Sequence, residues 1–130
     1  MYDTKKAHYV VVTVMLYCKN KYLILKRSAR EKAFPNLWTV PGGKLETTDY
    51  TQRAKDTTNF WYNIFEEVGK REVKEETGID IDTMEYLTSL VYIRSDDIPC
   101  IIVSLFSEVT STDVVIDQND HSEYAWVRFD

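Results

Sequence analysis

Arg71-Glu72-Val73-Lys74-Glu75-Glu76-Thr77-Gly78-Ile79 places three carboxylates within five positions. On a helix, Glu72, Glu75 and Glu76 stand at i, i+3 and i+4 and share one face. Like charges at that spacing repel by roughly a few tenths of a kcal/mol per pair, so the helix either leaves them to water or holds a cation between them. Gly78 is where a left-handed cap would close the helix, and Ile79 opens a run that reads as strand. The stretch is a helix end that presents acids.

Upstream, Phe60, Trp61, Ile64, Phe65 and Val68 fall at helical spacing. Asn63 to Glu66 has the form of a capping box, but the apolar stripe runs further back and puts the expected helix start near Thr58. Residues 47–58 are polar, threonine-rich and aperiodic, and read as a loop; a loop of that size within a compact domain is often functional. Before it, Leu37 to Val40 reads as a short strand and Pro41-Gly42-Gly43 as a sharp bend where bare backbone can approach a partner. A carbonyl oxygen from this double glycine and the acidic helix face could then meet at one cation.

His8 to Tyr17 is β-branched and aromatic without clear alternation, as expected of a strand covered on both faces. A Lys19-Asn20-Lys21 turn, with Asn20 in the left-handed position, leads into a second strand, Tyr22 to Lys26. Lys26, Arg27 and Arg30 cluster behind it, either as a solvated basic loop or as a phosphate contact. Beyond the helix, Met84 to Arg94 and Pro99 to Val109 suggest a long antiparallel hairpin. A polar connection with Asp113, Asp117, Asp120 and His121 precedes a last strand, Glu123 to Phe129. Strand pairs, one long helix and more strands make an α+β mixed sheet.

A chain of 130 residues holds one domain with a real core and is too short for two ordinary ones, so 1–130 reads as a single domain. The formal charge of −5 and the lack of a basic stripe argue against nucleic acid as the main partner. Cys18 and Cys100 lie in apolar runs without metal-ligand spacing and read as free thiols of a reducing compartment. The N-terminus has no apolar signal core and no run approaches a membrane span, which leads to the expectation of a cytoplasmic protein.

These residues resemble the Nudix hydrolases. The signature of that family is a glycine, five residues, a glutamate, seven residues, then Arg-Glu-apolar-any-Glu-Glu-any-Gly-apolar, and Arg71 to Ile79 matches its second half at every specified position. Leu37 to Glu46 looks like the approach to this box, and His121 to Val127 like the family's late strand. The match departs in the spacing: 27 residues separate Gly43 from Arg71 where the signature leaves thirteen, and counting eight back from Arg71 puts Asn63 in the place of the first box glutamate. The chain also stops at Asp130, where relatives commonly continue into a C-terminal helix that covers the sheet. A truncated form is one expectation, and association into a homodimer through exposed apolar sheet is the other.

The resemblance implies a Nudix-like mixed sheet packed with one long catalytic helix. It implies hydrolysis, with Mg²⁺ or Mn²⁺, of the pyrophosphate linkage in a nucleoside diphosphate derivative: a nucleotide sugar, ADP-ribose, a dinucleoside polyphosphate or a nucleoside triphosphate. Metal ligands would come from Glu72, Glu75, Glu76 and the Gly43 carbonyl, with Arg71 and the Asn63 position orienting them. Arg27 and Lys44 are the expected phosphate contacts. The general base is left between the box, with Glu75 and Glu76, and the late loop, with Asp120 and Glu123. His121 reads as a turn residue, and Trp38 and Trp126 as core. The alternative is a nucleotide-binding or regulatory module that does not cleave, with Asn63 marking the lost carboxylate.

Overall fold

The computed structural model describes residues 1–129. β1 (Tyr9–Cys18) returns as β2 (Lys21–Arg27), and the short β3 (Trp38–Thr39) and β4 (Gly42–Lys44) follow. A one-turn α1 (Thr48–Thr51) precedes the long α2 (Ile64–Thr77), and β5 (Glu85–Ile93), β6 (Pro99–Glu108) and β7 (His121–Arg128) complete the chain. All strands join one seven-stranded sheet in the order β3-β2-β1-β6-β5, with β4 on β1 and β7 on β2. β1 and β6 run parallel and the other pairs antiparallel, so the mixed α+β architecture read from the sequence is the one observed.

β1 sits at the centre, and its two faces differ. Val12, Val14 and Leu16 are fully buried, whereas Val11, Thr13 and Met15 on the opposite face are only half-covered. The strand therefore alternates in burial although its residue types do not. Val14, Leu16, Leu23 and Leu25 of the sheet pack against Val73 of α2, together with Ile79 and Val109, and Val12 and Leu105 pack with Val68. Gly69 lets the helix approach closely, since a Cβ there would stand 3.0 Å from both Val14 Cγ2 and Met84 Sδ.

Four local expectations change. The hairpin between β1 and β2 has two loop residues, and Lys19, with φ of 59°, takes the left-handed position expected of Asn20. The first loop residue bears this strain when a turn must match the strand twist. Gly42 and Gly43 form strand rather than a bend, paired with Thr13 and Val12; a Cβ on Gly42 would overlap the Val12 carbonyl oxygen. Trp38 is exposed, while Trp126 packs on the core and donates from Nε1 to the Thr112 carbonyl at 3.1 Å. The long helix starts at Ile64 rather than near Thr58.

That late start has a visible cause. Trp61 is drawn into the preceding loop, where it packs on Tyr50 at 5.1 Å between centroids and donates to the Arg53 carbonyl at 3.0 Å. Arg53 donates to the Tyr62 carbonyl at 2.9 Å, and the Asp56 carboxylate accepts from the Tyr62 amide at 2.9 Å. Asn63 then adopts φ of 59°, which no right-handed helix can pass through. At the far end Gly78 closes α2 at φ of 75°, its amide donating to the Lys74 carbonyl at 3.0 Å, as the sequence indicated.

Candidate metal and phosphate site

α2 lays its acidic face against β4, and the helical spacing sorts the three glutamates. Glu72 and Glu76, one turn apart, face the double glycine; Glu75 lies further round, with 57% of its side chain exposed. Glu76 is buried and its Oε2 accepts from the Gly42 amide at 2.8 Å. Gly43 backs directly onto the Glu72 carboxylate, where a Cβ would occupy the same space. The glycines are thus required by two carboxylates rather than by a turn.

A buried acid beside a half-buried one resists ionisation. Burial pushes Glu76 from an ordinary 4.5 up to about 8, opposed by the Gly42 hydrogen bond and reinforced by the charges of Glu72 and Asp120. Burial also raises Glu72, opposed by Arg71 and reinforced by Glu75 and Asp49. A divalent cation between the two would remove this penalty. Among the described residues no three His, Cys, Asp or Glu side chains form a closed cage. The donor set fits an ion that takes one or two carboxylates and completes its shell with water and phosphate, as Mg²⁺ does.

Arg71 organises the outer side of this face. It pairs with Glu72 at 2.8 Å and Glu75 at 3.3 Å, and its third partner is Asp49 of α1, at 2.8 Å with only 7% of the side chain exposed. Asp49 is the residue the sequence reading missed. Leaving five residues after Gly43 lands on it, whereas counting eight back from Arg71 stops at the far end of the insertion, on Asn63. Asn63 is exposed and makes no side-chain capping bond, and the carboxylate that the structure brings to Arg71 is that of Asp49. The insertion lies after the carboxylate, between α1 and α2.

On the other side of Glu76 opens a cavity of about 570 Å³ lined by Gly42, Gly43 and Glu76, by Arg27, Arg30, Lys32, Lys44 and Arg94, and by Phe34 and Tyr92. Arg27 lines it while donating to the Ala33 carbonyl at 2.9 Å and pairing with Glu31 at 3.3 Å, so it also holds the 28–37 loop in place. Lys44 reaches over the Tyr9 ring at 5.4 Å. His121 is the first residue of β7, paired with Arg27, while its amide still closes the preceding turn by donating to the Asp117 carbonyl at 2.9 Å. It is 3% exposed, its Nε2 lies 3.8 Å from Glu76 Oε1, and burial lowers its pKa. The exposed Asp120 beside it is tied in by its carbonyl, which accepts from the Ser28 amide at 2.9 Å. Glu123 does not join this group: it pairs across the strands with Lys26 at 3.4 Å.

A family model, the NUDIX domain, matches residues 6–130. The chain belongs to the Nudix hydrolase family. Among solved structures, it is similar to a MutT protein from Methanosarcina mazei Go1, with a TM-score of 0.74 and 23% identity, over 97% of this chain and 80% of that one. The NUDIX domain of Shewanella oneidensis NrtR, complexed with ADP ribose, has a TM-score of 0.71 and 22% identity over 98% of this chain and 78% of that one. In sequence, the m7GpppN-mRNA hydrolase NUDT17 of Danio rerio is 32% identical over 83 residues, which is 63% of this chain. This Nudix chain spans 23% of that relative's length. No helix is long and apolar enough to cross a membrane among the described residues.

Proposed function

We propose that this Nudix domain hydrolyses the pyrophosphate linkage of a nucleoside diphosphate derivative, with Mg²⁺ or Mn²⁺, and releases a nucleoside monophosphate. The observation that carries the reading is the pairing of Glu72 and Glu76 against the Gly42-Gly43 backbone at the mouth of a basic cavity. Glu72 and Glu76 would hold the metal, and the Gly43 backbone stands close enough to share it. When bound, the metal offsets phosphate charge and lowers the pKa of a water nucleophile.

The chain's own groups do the rest. Arg71, fixed by Asp49, keeps Glu72 and Glu75 oriented. Lys44, Arg94 and the loop held by Arg27 bring positive charge to a polyphosphate. Phe34 and Tyr92, with centroids 6.3 Å apart, offer ring faces on the cavity wall for a base. Asp120 is exposed and close enough to influence Glu76, which makes it our candidate to accept a proton from water; Glu75 is held by Arg71. The substrates that suit such a cavity are nucleotide sugars, ADP-ribose, dinucleoside polyphosphates and nucleoside triphosphates. The Asp49 carboxylate on Arg71 favours this reading over a module that only binds, whose main support was the carboxylate missing at Asn63.

A screen of such nucleotides with Mg²⁺, reading nucleoside monophosphate, tests the proposal. Wild-type protein should release it only with divalent metal, and Glu76→Gln should not. Nucleotide binding by calorimetry with no hydrolysis at any metal concentration would instead support a binding module.

A further inference from the structure

α1 carries Asp49, yet it is one turn long and has no side-chain cap, and so short a helix does not persist in water by itself. Asp49 ties it down at one point: Oδ2 accepts from the Glu46 amide at 2.7 Å and Oδ1 meets Arg71 at 2.8 Å. The second tie comes from the insertion. Half-buried Trp61 packs its ring on Tyr50 of α1 and donates to the carbonyl of Arg53 just past that turn, while Lys55 Nζ stands 5.3 Å from its ring centroid. Around Trp61 the loop closes on itself. The amides of Asp56 and Thr57 donate to the Phe60 carbonyl at 2.9 and 3.2 Å, the Phe60 amide donates to Thr57 Oγ1 at 3.2 Å, and Arg53 pairs with Asp56 at 3.6 Å. A loop packed by its own side chains in this way has a definite shape with which to press on its neighbours. None of residues 45–63 lines the basic cavity, so the insertion bears on the metal face and not on the nucleotide.

We propose that Trp61 is a positioning residue: it clamps α1 so that Asp49 stays on Arg71 and Arg71 leaves Glu72 turned toward the metal. The contacts run from Trp61 to Tyr50, through Asp49 beside it in α1, to Arg71, and from Arg71 to Glu72 at 2.8 Å. Arg71 divides its guanidinium among Asp49, Glu72 and Glu75. With Asp49 held, one of its nitrogens is taken up on the α1 side. With Asp49 released, the whole guanidinium is free to close a forked pair with one glutamate, and such a pair competes with a cation for the same carboxylate oxygens. The insertion therefore acts on the strength of the metal site through a path that starts at one indole.

The clamp rests on the metal reading of Glu72 and Glu76, and two measurements keep the two apart. In EDTA, amide hydrogen exchange across residues 47–53 should be roughly tenfold faster in Trp61→Ala than in wild type, and near wild type in Trp61→Phe, which keeps a ring on Tyr50. Tyr50→Ala removes the same contact from the other side and should behave as Trp61→Ala does. Titrated with Mg²⁺ alone by calorimetry, Trp61→Ala should bind roughly tenfold more weakly than wild type and Trp61→Phe within about twofold of it. Trp61→Ala combined with Asp49→Asn should bind no more weakly than Asp49→Asn, because both changes break one path. Unchanged exchange across 47–53 in Trp61→Ala and Tyr50→Ala, wild-type Mg²⁺ affinity in either, or losses that add in the double variant would overturn the proposal. A wild type that binds no Mg²⁺ would count against the metal reading, and the exchange result would still decide the clamp.

Discussion

Removing the charge of Glu76 should stabilise the metal-free protein, and the gain should grow with pH. The buried carboxyl titrates at about 8 in the fold against an ordinary 4.5, so the fold favours its protonated form. Below 4.5 that preference contributes in full; it is lost as pH rises from 4.5 through 8, because the unfolded chain ionises freely and the native one does not. At about 1.4 kcal/mol per pH unit, the ionisable group costs the native state roughly 3 kcal/mol at pH 7. Glu76→Gln keeps an acceptor for the Gly42 amide and removes the ionisation. In EDTA at pH 7 its melting temperature should exceed wild type by roughly 10 °C, from about 3–4 °C per kcal/mol in a domain of this size, and at pH 4 the two should coincide. Divalent metal should invert the order at a thousandfold excess over Kd: bound between Glu72 and Glu76, it keeps wild type ionised and adds about 4.1 kcal/mol, more than the deficit. Differential scanning calorimetry over pH, with and without Mg²⁺, measures both effects. A gap between wild type and variant that does not widen with pH, or a variant less stable than wild type at pH 7 without metal, would refute the reasoning.

Asp49→Asn should weaken Mg²⁺ binding by roughly tenfold or more, since it releases the guanidinium that orients Glu72, whereas Asn63→Gly should change it by less than about twofold; calorimetric titration of both separates the two candidate positions. Gly43→Ala should fold but lose roughly a hundredfold or more of its turnover, because the added methyl displaces the Glu72 carboxylate, and a steady-state assay with a circular dichroism control checks it. Gly78→Ala should cost about 1–2 kcal/mol in urea denaturation through its left-handed backbone, with the site intact.

The fold was legible where the sequence pattern and the packing follow the same rule. Arg71 to Ile79 gives the acidic helix end and its cap because helical spacing and a glycine at φ of 75° leave little else. The strands emerged within a few residues because β-branched and aromatic runs bounded by turns have few alternatives. What failed depended on distant partners. Phe60 and Trp61 continue the apolar stripe on paper, but the Tyr50 ring and the Arg53 network take Trp61 out of the helix. The identity of the Arg71 partner turned on where the insertion lies, and a count from Gly43 was as available as a count from Arg71. Glu123 and His121, two residues apart on one strand, exchanged prospects because the register shift opposite Lys26 and Arg27 breaks the alternation between them, leaving one paired with Lys26 and the other against Glu76. No local pattern announces that the 28–37 loop would close the cavity with Phe34 against Tyr92.

The central claim is that the Glu72–Glu76 face uses a divalent metal to cleave a nucleotide pyrophosphate. Product analysis of nucleotide sugars, ADP-ribose, dinucleoside polyphosphates and nucleoside triphosphates, incubated with wild type and with Glu76→Gln over a Mg²⁺ titration, tests it most directly. The account predicts nucleoside monophosphate from at least one of them, dependent on metal and absent with the variant. Equal turnover by the variant, or turnover by wild type undiminished in excess EDTA, would contradict it.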